Sequence, residues 1–376
     1  MRKHLSDLCI FADEKINVVN LDADTYISTE NMLPNKQGVS RSAGLPTVSQ
    51  TQAYKSSDVL VSNIRPYFKK IWFADRNGGC SNDVLVFKAK DNCYPRFLYY
   101  LLADDYFFDY STSTSKGTKM PRGDKGAIMR YAVSNLPTLP EQRDIAATLS
   151  CLDEKIALNN SVNRHLERMA QAIFKSWFVD FEPWDGVMPK GWSIGCLGDV
   201  IELFDFKRVP LSGNQREKME KIYPYYGAAA LMDYVDDYLF DGIYLLLGED
   251  GTVIDDLGFP ILQYVWGKFW VNNHAHILQG RNGFTVESLY ILLKQTSITS
   301  LVTGAVQPKI NQANLKALEV LIPNAVTIEQ YNATISPIFA QIRNSSDENR
   351  RLAALRDTLL PRLMSGELSV ADLSAK

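Results

Sequence analysis

The stretch "IAATLSCLDEKIALNNSVNRHLERMAQAIFKSW", which runs from Ile145 to Trp177, repeats its seam positions at alternating intervals of four and three residues. This spacing is typical of a long helix that packs along one side against a second helix, as in a coiled coil. We call these positions the first seam, and its members are Ile145, Leu149, Leu152, Ile156, Asn159, Asn163, Leu166, Ala170, Ile173 and Trp177. Two neighbouring positions in its middle, Asn159 and Asn163, are polar, although asparagine is a poor helix former.

The same pattern recurs after a shift of about 186 positions. We call these positions the second seam, and its members are Tyr331, Ile335, Ile338, Ile342, Ser345, Asn349, Leu352, Arg356, Leu359 and Leu363. Ser345 and Asn349 are polar at the places that correspond to the two asparagines of the first seam. Arg356 is a further departure, although the neighbouring Leu355 could fill its place. Buried polar residues at seam positions cost stability but fix the register of paired helices.

Short blocks outside the seams are also duplicated, always in the same order. The pairs are His4–Leu8 with Cys196–Val200, Phe97–Leu102 with Ser288–Leu293, Gly117 and Pro121 with Gly304 and Pro308, Leu136–Pro140 with Val320–Pro323, and Ala147–Ser150 with Ala333–Ser336. The offset drifts only from about 192 to about 186, as small deletions in loops would produce. We therefore predict a globular domain over residues 1–137, a helix over 138–185, a second globular domain over 186–325, and a second helix with a tail over 326–376.

Local signals support this division. Turn residues separate β-rich runs in each globular part, which predicts the α+β class. The runs are Asp58–Ser62, Asp83–Phe87 and Gly242–Leu247. Both helices begin with capping-box patterns, Thr138-x-x-Glu141 and Thr327-x-x-Gln330. Pro337 is expected to kink or break the second helix near its start.

The duplicated order domain–helix–domain–helix predicts pseudo-twofold symmetry and two antiparallel helices. With a rise of ~1.5 Å per residue, helices of about 40 residues would hold the domains on the order of 60 Å apart. The midpoint of the first helix falls between the two asparagines. We therefore expect Asn159 to lie near Asn349, and Asn163 near Ser345, across the middle of the coiled coil.

Composition sets broad limits. The chain has 376 residues, 46% of them hydrophobic and 22% charged, which suits a folded protein of two or more domains. The sequence has no run of ~20 apolar residues that would suit a membrane span, and we expect a cytoplasmic protein. Its five cysteines are scattered, which favours a reducing compartment and offers no zinc framework. The net charge of −3 argues mildly against a nucleic-acid binder.

Several blocks resemble the specificity subunits of type I restriction–modification systems. They are Leu136–Ile145, Ile173–Phe178, Pro189–Ile194 with Leu197–Asp199, Asp58–Pro66 and Leu359–Leu368. The resemblance spans essentially the whole chain, and the duplicated arrangement makes it specific. The sequence departs from the family in that the first-domain pattern starts almost at residue 1, and in that Pro337 interrupts the second helix.

The resemblance implies a non-catalytic, sequence-specific DNA-binding subunit. Two target recognition domains would each read one half of a bipartite DNA site, and the two helices would set the spacing. The helices would also dock two methyltransferase subunits, with restriction and motor subunits joining for cleavage. S-adenosylmethionine, ATP and magnesium would then belong to the partner subunits, and we expect no cofactor and no metal in this chain.

Local charge provides candidate DNA contacts, since phosphate contacts position a protein and base contacts specify the sequence. In the first half, the basic candidates are Arg65, Lys69, Lys70 and Arg76, followed by Lys116, Lys119, Arg122 and Lys125. In the second half, the candidates are Gln307, Lys309, Asn311 and Gln312. The side-chain amides of the two glutamines and the asparagine can pair with adenine. The alternative for the two basic clusters of the first half is an ordinary solvated loop. The acidic net charge suggests that the chain binds DNA weakly without partners.

Two other functions stay open at this level. One is a self-contained methyltransferase or nuclease, although the sequence has no Walker-type loop and no Asn/Asp-Pro-Pro-aromatic motif. The other is a scaffold that binds only proteins. His274 and His276 could lie on one face of a strand, but with no third ligand nearby we favour a packing role over a metal site. Asp153 lies on the predicted coiled coil, where charged residues outside the seam are expected.

Overall fold

The computed structural model describes residues 3–133, 135–304 and 308–374, and it forms two compact units. Unit 1 comprises Met1–Ala157 and Asn349–Lys376, and unit 2 comprises Leu158–Glu348. The boundary between the units falls inside the two long helices, so each unit contains a globular part and one segment of each helix.

The first globular part contains ten short strands and four short α-helices among its described residues. The strands are β1 (Lys3–His4), β2 (Cys9–Phe11), β3 (Lys15–Asn17), β4 (Tyr26–Ile27), β5 (Gln50–Tyr54), β6 (Val59–Ser62), β7 (Ile71–Phe73), β8 (Gly78–Cys80), β9 (Val84–Ala89) and β10 (Ala132–Val133). The helices are α1 (Leu5–Leu8), α2 (Pro95–Ala103), α3 (Asp105–Ser113) and α4 (Lys125–Met129).

These strands form three sheets in unit 1. β1 pairs with β10, a second sheet has the antiparallel order β2-β9-β6-β7, and a third has the order β3-β5-β8-β4. The runs predicted as strands at Asp58–Ser62 and Asp83–Phe87 supply β6 and most of β9, whose apolar residues are buried. β-Branched residues fit such a pleated, buried surface well.

The first long helix, α5, spans Leu139–Phe178. At its start, Oε2 of Glu141 accepts hydrogen bonds from the backbone N–H (2.7 Å) and the hydroxyl (2.8 Å) of Thr138. The glutamate therefore performs its part of the capping box, whereas the threonine hydroxyl donates to the carboxylate instead of accepting from the helix.

The second globular part follows α5. Its strands are β11 (Ser193–Cys196), β12 (Ile201–Leu203), β13 (Tyr223–Tyr226), β14 (Leu231–Val235), β15 (Phe240–Gly248), β16 (Leu262–Val271), β17 (Ala275–Gly280) and β18 (Glu319–Ile322). Its helices are α6 (Leu197–Val200), α7 (Gly213–Arg216), α8 (Val286–Lys294) and α9 (Gln312–Lys316).

The sheets of unit 2 repeat those of unit 1. β11 pairs with β18 as β1 pairs with β10, and β12-β17-β15-β16 has the antiparallel order of β2-β9-β6-β7. The larger sheet of unit 2 continues into β13 and β14, whereas unit 1 places its remaining strands in a separate sheet. The predicted α+β class with an internal repeat is confirmed.

The second long helix, α10, spans Ala325–Ser365, and α11 follows at Val370–Ser374. The helix does not break at Pro337, because α10 continues through this residue. A kink at this residue stays a prediction. Pro337 is exposed, while Ile335 and Phe339 beside it are 0% and 1% exposed in the core, and their burial offsets the lost backbone hydrogen bond. The predicted cap at Thr327 is wrong, since Asn324 caps the helix by accepting from the Thr327 N–H at 2.9 Å.

In unit 1, the start of α5 and the end of α10 complete one hydrophobic core. Leu149 and Leu363 are fully buried and join a cluster that contains Leu5, Leu8 and Phe97. Early residues of one helix thus share a core with late residues of the other, so the two segments are antiparallel. No helix in the described ranges combines the length and hydrophobicity needed to cross a membrane.

Arg356 itself occupies its seam position in unit 1. Its Nη1 lies 2.7 Å from Oδ1 of Asp153 on α5, while Leu355 is 47% exposed. Leu355 therefore does not fill this place, because an ion pair between the helices satisfies the arginine where it stands.

In unit 2, aromatic contacts join the end of α5 to the start of α10. The Tyr331 ring lies 6.1 Å from Phe174, 5.9 Å from Trp177 and 4.8 Å from Phe178, measured between ring centroids. Late residues of α5 thus meet early residues of α10, and these segments are antiparallel as well. None of the twenty seam residues is classed as exposed.

Candidate nucleic-acid interface

Each unit contains a short β-hairpin at an equivalent position, and the two hairpins have the same backbone hydrogen-bond pattern. Hairpin 1 comprises residues 116–122, and hairpin 2 comprises residues 303–309, of which 305–307 lie outside the described part of the chain. Lys116 and Arg122 exchange two backbone hydrogen bonds of 2.9 Å. Thr303 and Lys309 exchange bonds of 2.9 and 2.8 Å. The two hairpins are therefore closed by the same pattern of backbone hydrogen bonds at equivalent positions.

A glycine with left-handed backbone follows the first residue of each closing pair. Gly117 has a φ of 93° and Gly304 has a φ of 89°. This conformation favours glycine because a side chain would clash with the backbone. The structural equivalence of these two glycines, expected from the repeat, is confirmed.

Both hairpins attach to the chain that follows an equivalent strand. The N–H of Arg65, after β6, donates to the carbonyl of Pro121 at 2.8 Å. In the same way, the N–H of Gly251, after β15, donates to the carbonyl of Pro308 at 3.1 Å. The repeat thus fixes each hairpin by backbone hydrogen bonds, which leaves the side chains of the hairpin free to differ.

Hairpin 1 presents a basic surface that is only partly neutralised. Lys116 pairs with Asp124 at 2.5 Å, and Arg122 pairs with Asp83 at 3.1 Å. The Lys116 hydrogen bond, together with the Ala127 N–H, lowers the pKa of Asp124 to about 2. Lys119 is exposed and forms no ion pair with any residue that the structure describes.

The remaining candidate of this loop lies just beyond the hairpin. Lys125 begins α4, and its Nζ lies 5.9 Å from the centroid of the Phe11 ring. It is exposed, so its charge remains available to a ligand.

The four candidates near Pro66 have different environments. Arg65 contacts hairpin 1 through its backbone, and its side-chain Nε is buried without a hydrogen-bond partner among the described atoms. Lys69 pairs with Asp105 at 3.0 Å. Lys70 donates to the Thr29 carbonyl at 2.6 Å, and burial lowers the pKa of this lysine.

Arg76 supports the fold of unit 1. Its Nε donates to the Asp24 carbonyl at 3.0 Å, its Nη1 donates to Asp75 at 2.8 Å, and its guanidinium lies 5.1 Å from the Trp72 ring. These contacts favour a structural role for Arg76, and the same holds for Lys69 and Lys70.

In unit 2, the predicted amide readers are engaged in the fold. Asn311 caps α9 by accepting from the Asn314 N–H at 2.8 Å, and Gln312 donates to Oδ2 of Asp205 at 2.6 Å. Pairing with adenine would require a free amide edge. Lys309 is exposed and lies 3.3 Å from Glu249, and Gln307 falls outside the described residues.

A buried polar cluster below hairpin 2 was not predicted from the sequence. His276 is 1% exposed, and its Nδ1 lies 2.6 Å from Oδ2 of Asp205. Its Nε2 lies 2.8 Å from the carbonyl oxygen of Ile310, the residue after the hairpin. Burial opposes ionisation of Asp205, but the hydrogen bond and charge of His276 lower its pKa. The expectation that no third ligand lies near His276 is wrong, because Asp205 and Glu249 both approach the ring. The packing role of His276 stays a prediction.

Asp205, Glu249 and His276 are the one group of metal-ligand type found among the residues that the structure describes. Protein cations already occupy the carboxylates, since Glu249 pairs with Arg208 at 2.6 Å and with Lys309 at 3.3 Å. Asp205 accepts from Gln312, His276 and the Ile277 N–H. A divalent ion would displace these bonds, so the cluster fits an ionic network better than a metal site.

The signal for this network was present in the sequence but was not specific. A histidine and carboxylates that lie far apart along the chain can be recognised as a cluster only when strand pairing places them together. The spacing of His274 and His276 predicted that both imidazoles lie on one face of a strand, whereas His274 pairs with Asp250 at 2.8 Å.

The polar seam residues of unit 2 form hydrogen bonds between the helices. Asn159 is 5% exposed, and its Nδ2 donates to Glu348 at 2.7 Å. Asn163 donates to Oγ of Ser346 at 3.1 Å and to the Ile342 carbonyl at 3.4 Å. The hydrogen-bond partner of Asn163 is thus the neighbour of the expected residue, Ser345.

Ser345 itself is 4% exposed and accepts from Gln341 at 3.0 Å within its own helix. Asn349 belongs to unit 1, so the expected approach of Asn159 and Asn349 stays a prediction.

Residues 17–168 and 189–353 each match the family model described as the type I restriction modification DNA specificity domain. The match covers well over half of the chain and occurs once in each half, as the internal repeat requires.

Two curated relatives are similar over most of their length. The type I restriction enzyme MjaIX specificity subunit of Methanocaldococcus jannaschii is 27% identical, over 76% of this chain and 71% of the relative. The HindI specificity subunit of Haemophilus influenzae is 24% identical, over 91% and 94%. The crystal structure of the type I S subunit from M. genitalium has a TM-score of 0.55 at 18% identity, over 96% and 95%, which supports the fold.

Proposed function

The chain belongs to the type I restriction–modification DNA specificity family, and from this membership we propose that each unit reads one half of a bipartite DNA target. Members of this family are DNA-recognition components without catalytic activity of their own, so the expectation that this chain is not an enzyme is confirmed.

The duplicated hairpin is the observation that carries the proposal. Two units that share a four-stranded antiparallel order present hairpins with equivalent closing positions and equivalent attachment. Among the described residues, the exposed side chains of the two hairpins differ. A shared frame with variable side chains suits two readers that bind similar DNA backbones and different bases.

Within unit 1, the exposed cations Lys116, Lys119, Arg122 and Lys125 are the proposed phosphate and base contacts. Within hairpin 1, Lys119 is the strongest candidate because no described acid neutralises it. Arg65 is a weaker candidate because its side-chain Nε is buried. In unit 2, we assign the equivalent role to Lys309 and to the neighbouring Gln307.

The chain acts in a complex with DNA and with other subunits, and the finer assembly belongs to this proposal. We assign to α5 and α10 the docking of two methyltransferase subunits and the spacing of the two readers. Restriction and motor subunits would join the same assembly for cleavage. S-adenosylmethionine, ATP and magnesium would then be bound by those partners.

Charge argues that the partners contribute to DNA affinity. The net charge of the chain is −3, and non-specific affinity for DNA rises with the number of phosphates that a protein neutralises. An acidic chain with one basic hairpin should therefore bind weakly alone and tightly when other subunits enclose the duplex.

The test reconstitutes the chain with its methyltransferase subunits and selects bound duplexes from a random DNA library at fixed salt. The expected product is one motif with two specified blocks and an unspecified spacer of constant length, in which adenine is methylated. The chain without partners serves as the control.

Three outcomes would contradict the proposal. A single continuous motif would argue against two readers. Methylation or cleavage by the isolated chain would require an active site of its own. Assembly with the methyltransferase but no sequence preference would favour the protein-only scaffold.

A further inference from the structure

Unit 1 exposes two neighbouring aromatic side chains in the loop between β6 and β7. Tyr67 and Phe68 belong to a single 3₁₀ turn at Pro66–Phe68, and they are 48% and 39% exposed. Their ring centroids lie 4.8 Å apart, so the two rings form one continuous apolar surface. We call residues 65–69 the aromatic turn. Neighbouring exposed apolar residues, unlike scattered single ones, are typical of contact sites.

Hydrogen bonds fix the backbone of the aromatic turn. Residues 65–69 form two internal backbone hydrogen bonds of 3.0 and 2.8 Å. The Phe68 carbonyl accepts from the N–H of Asn35 at 2.9 Å, and the next carbonyl accepts from the N–H of Lys36 at the same distance. The two aromatic side chains are therefore held on a rigid frame, as a preformed contact surface requires.

The aromatic turn lies directly against hairpin 1. The N–H of Arg65 donates to the carbonyl of Pro121 at 2.8 Å, and Ile64 forms an isolated β-bridge with Arg122. Both contacts are made by backbone groups one to three residues before the aromatic rings. The rings are thus placed next to the basic hairpin by the fold of unit 1.

The turn and the adjoining hairpin carry positive charge that no described acid compensates. Arg65, Lys70 and Lys119 form no ion pair with any residue in the described part of the chain. The Nζ of Lys70 lies 5.9 Å from the centroid of the Phe68 ring. The nearby Asp105 is neutralised by two lysines, at 2.7 and 3.0 Å. Free cations beside apolar rings complement an anionic polymer whose bases are partly apolar, which favours DNA over a protein partner.

Unit 2 buries the corresponding position. Gly251 donates to hairpin 2 as Arg65 donates to hairpin 1, so these two residues correspond. Two residues further on, Val253 is 1% exposed, whereas Tyr67 is largely open. Gly251 has a φ of 82° and Arg65 has a φ of 50°. Left-handed backbone costs free energy for arginine but not for glycine, so unit 1 maintains a strained residue where its exposed turn begins. Such strain is typical of functional sites.

The chemistry of the rings selects the part of DNA that they fit. Phe68 has no hydrogen-bonding group, so it does not pair with the donors and acceptors of the base edges. Stacking on a base would require that base to leave the duplex, at the expense of its own stacking and pairing. Among the base edges of a paired duplex, the methyl group of thymine is the apolar feature.

We propose that Tyr67 and Phe68 form a specificity-determining apolar surface of unit 1, which contacts thymine methyl groups in its half of the DNA target. The free cations beside the rings bind phosphates and thereby bring the rings to the base edges. This inference rests on the proposed function, and it adds two residues that are not among the basic candidates.

The first experiment removes the methyl groups from the DNA. In the complex with methyltransferase subunits, each thymine of the selected target is replaced in turn by deoxyuridine, which keeps the base pair. Because the proposed target contains adenine, its duplex always offers a thymine to replace. We expect at least one replacement in one half of the target to weaken binding about fourfold, as for the burial of one hydrocarbon group.

The double variant Tyr67→Ser with Phe68→Ser should be insensitive to that replacement, because it has no apolar surface to lose. Unchanged binding at every deoxyuridine position, or the same loss in the double variant as in the unsubstituted chain, would overturn the inference.

The second experiment separates base contacts from phosphate contacts. The double variant should bind the target at least about fourfold more weakly at every salt concentration, because apolar contacts release no counterions. Its binding to an unrelated duplex should not change. Val19→Ser removes an apolar side chain of unit 1 that is 89% exposed, and this control should alter neither affinity. An equal loss on both duplexes, or a smaller salt slope, would contradict a base contact.

A single substitution guards against loss of folding. Phe68 is partly buried, so its replacement also removes packing contacts, whereas Tyr67 is more exposed. Tyr67→Ser should keep the thermal unfolding midpoint of the unsubstituted chain and reduce the deoxyuridine effect. If Tyr67→Ser and Phe68→Ser both fold and both retain the full effect, the inference is wrong.

The outcomes distinguish this inference from the proposed function. A selected motif with two blocks, but with no deoxyuridine effect, would reject only the aromatic contact. A single continuous motif would reject the proposed function, whatever the thymine result. If the folded double variant no longer assembles with the methyltransferase subunits, the aromatic turn is a protein-docking surface and the inference is wrong.

Discussion

Arg356 of α10 and Asp153 of α5 form an ion pair of 2.7 Å within the helix seam of unit 1. The hydroxyl of Tyr100 donates to the second oxygen of the same carboxylate at 2.6 Å. Burial opposes the charge of Arg356, but the Asp153 carboxylate more than compensates and raises the pKa of the arginine. A position that should be apolar is thus stabilised by an ion pair between the helices.

Arg356→Ala should destabilise unit 1 by about 2 kcal/mol, because it leaves a half-buried carboxylate without its main counter-charge. Urea unfolding followed by circular dichroism measures the effect, and Arg351→Ala, at an exposed position of the same helix, is the matched control. Arg356→Lys should lose less, since it keeps the charge. Equal losses in the Arg356→Ala and control variants would show that the ion pair contributes nothing.

Asn159→Leu with Asn163→Leu should stabilise the helix pair while loosening its register. Oδ1 of Asn163 is buried without a partner among the described atoms, and leucine removes that penalty, worth about 1 kcal/mol. In the unsubstituted chain, the asparagine hydrogen bonds between the helices favour a single register, and the double variant removes them. Thermal unfolding reports the stability, and binding to targets of varied spacer length reports the register.

Ala157→Leu, on the exposed side of α5, controls for added apolar surface. Greater stability with an unchanged spacer requirement in the double variant would argue against a register role for the asparagines.

Lys119→Ala should weaken DNA binding nearly equally for all sequences and reduce the slope of log affinity against log salt by about 1. Its ammonium group is exposed and has no described acidic partner, so it is available to one phosphate. Binding by the complex with methyltransferase subunits is measured over a series of salt concentrations. Arg76→Ala is the control, since its guanidinium is held by Asp75 and the Asp24 carbonyl and should leave the slope unchanged.

A reduced slope in the Arg76→Ala variant, with none in Lys119→Ala, would move the phosphate contact from hairpin 1 to the loop after β7.

Two of the five cysteines should react rapidly with Ellman's reagent at pH 8. Cys151 and Cys196 are exposed. Burial raises the pKa of Cys9, Cys80 and Cys93 to about 12, above the usual value near ~8.5, so these three form almost no reactive thiolate at pH 8. All five should react in guanidinium chloride.

Cys151→Ser and Cys196→Ser should each remove one rapid equivalent. A third rapid thiol in the unsubstituted chain would mean that one of the three buried sites opens under native conditions.

The internal repeat allowed the fold class to be predicted from the sequence. The four-three spacing from Ile145 to Trp177 predicted a paired helix, and duplicated blocks predicted two α+β units, because burial imposes the same periodicity wherever it recurs. Local exceptions were less predictable. Pro337 did not end α10, since its neighbours Ile335 and Phe339 are anchored in the core.

The basic loops illustrate the limit for functional residues. In the sequence, Arg65, Lys69, Lys70 and Arg76 look like one basic cluster. In the structure, the last three form contacts that stabilise the fold of unit 1. Charge alone does not distinguish a solvated cation from one that pairs with a neighbouring acid or carbonyl, because those neighbours come from distant parts of the chain.

The sequence by itself therefore determined the duplication, the helix seam and the family, all of which depend on order and spacing along the chain. Only the tertiary structure decided which polar groups are paired. Strand pairing brings His276 between Asp205 and Ile310, and helix pairing brings Arg356 to Asp153. The physical reason is that the energy of a buried charge is set by the few atoms in contact with it, and these contacts exist only after folding.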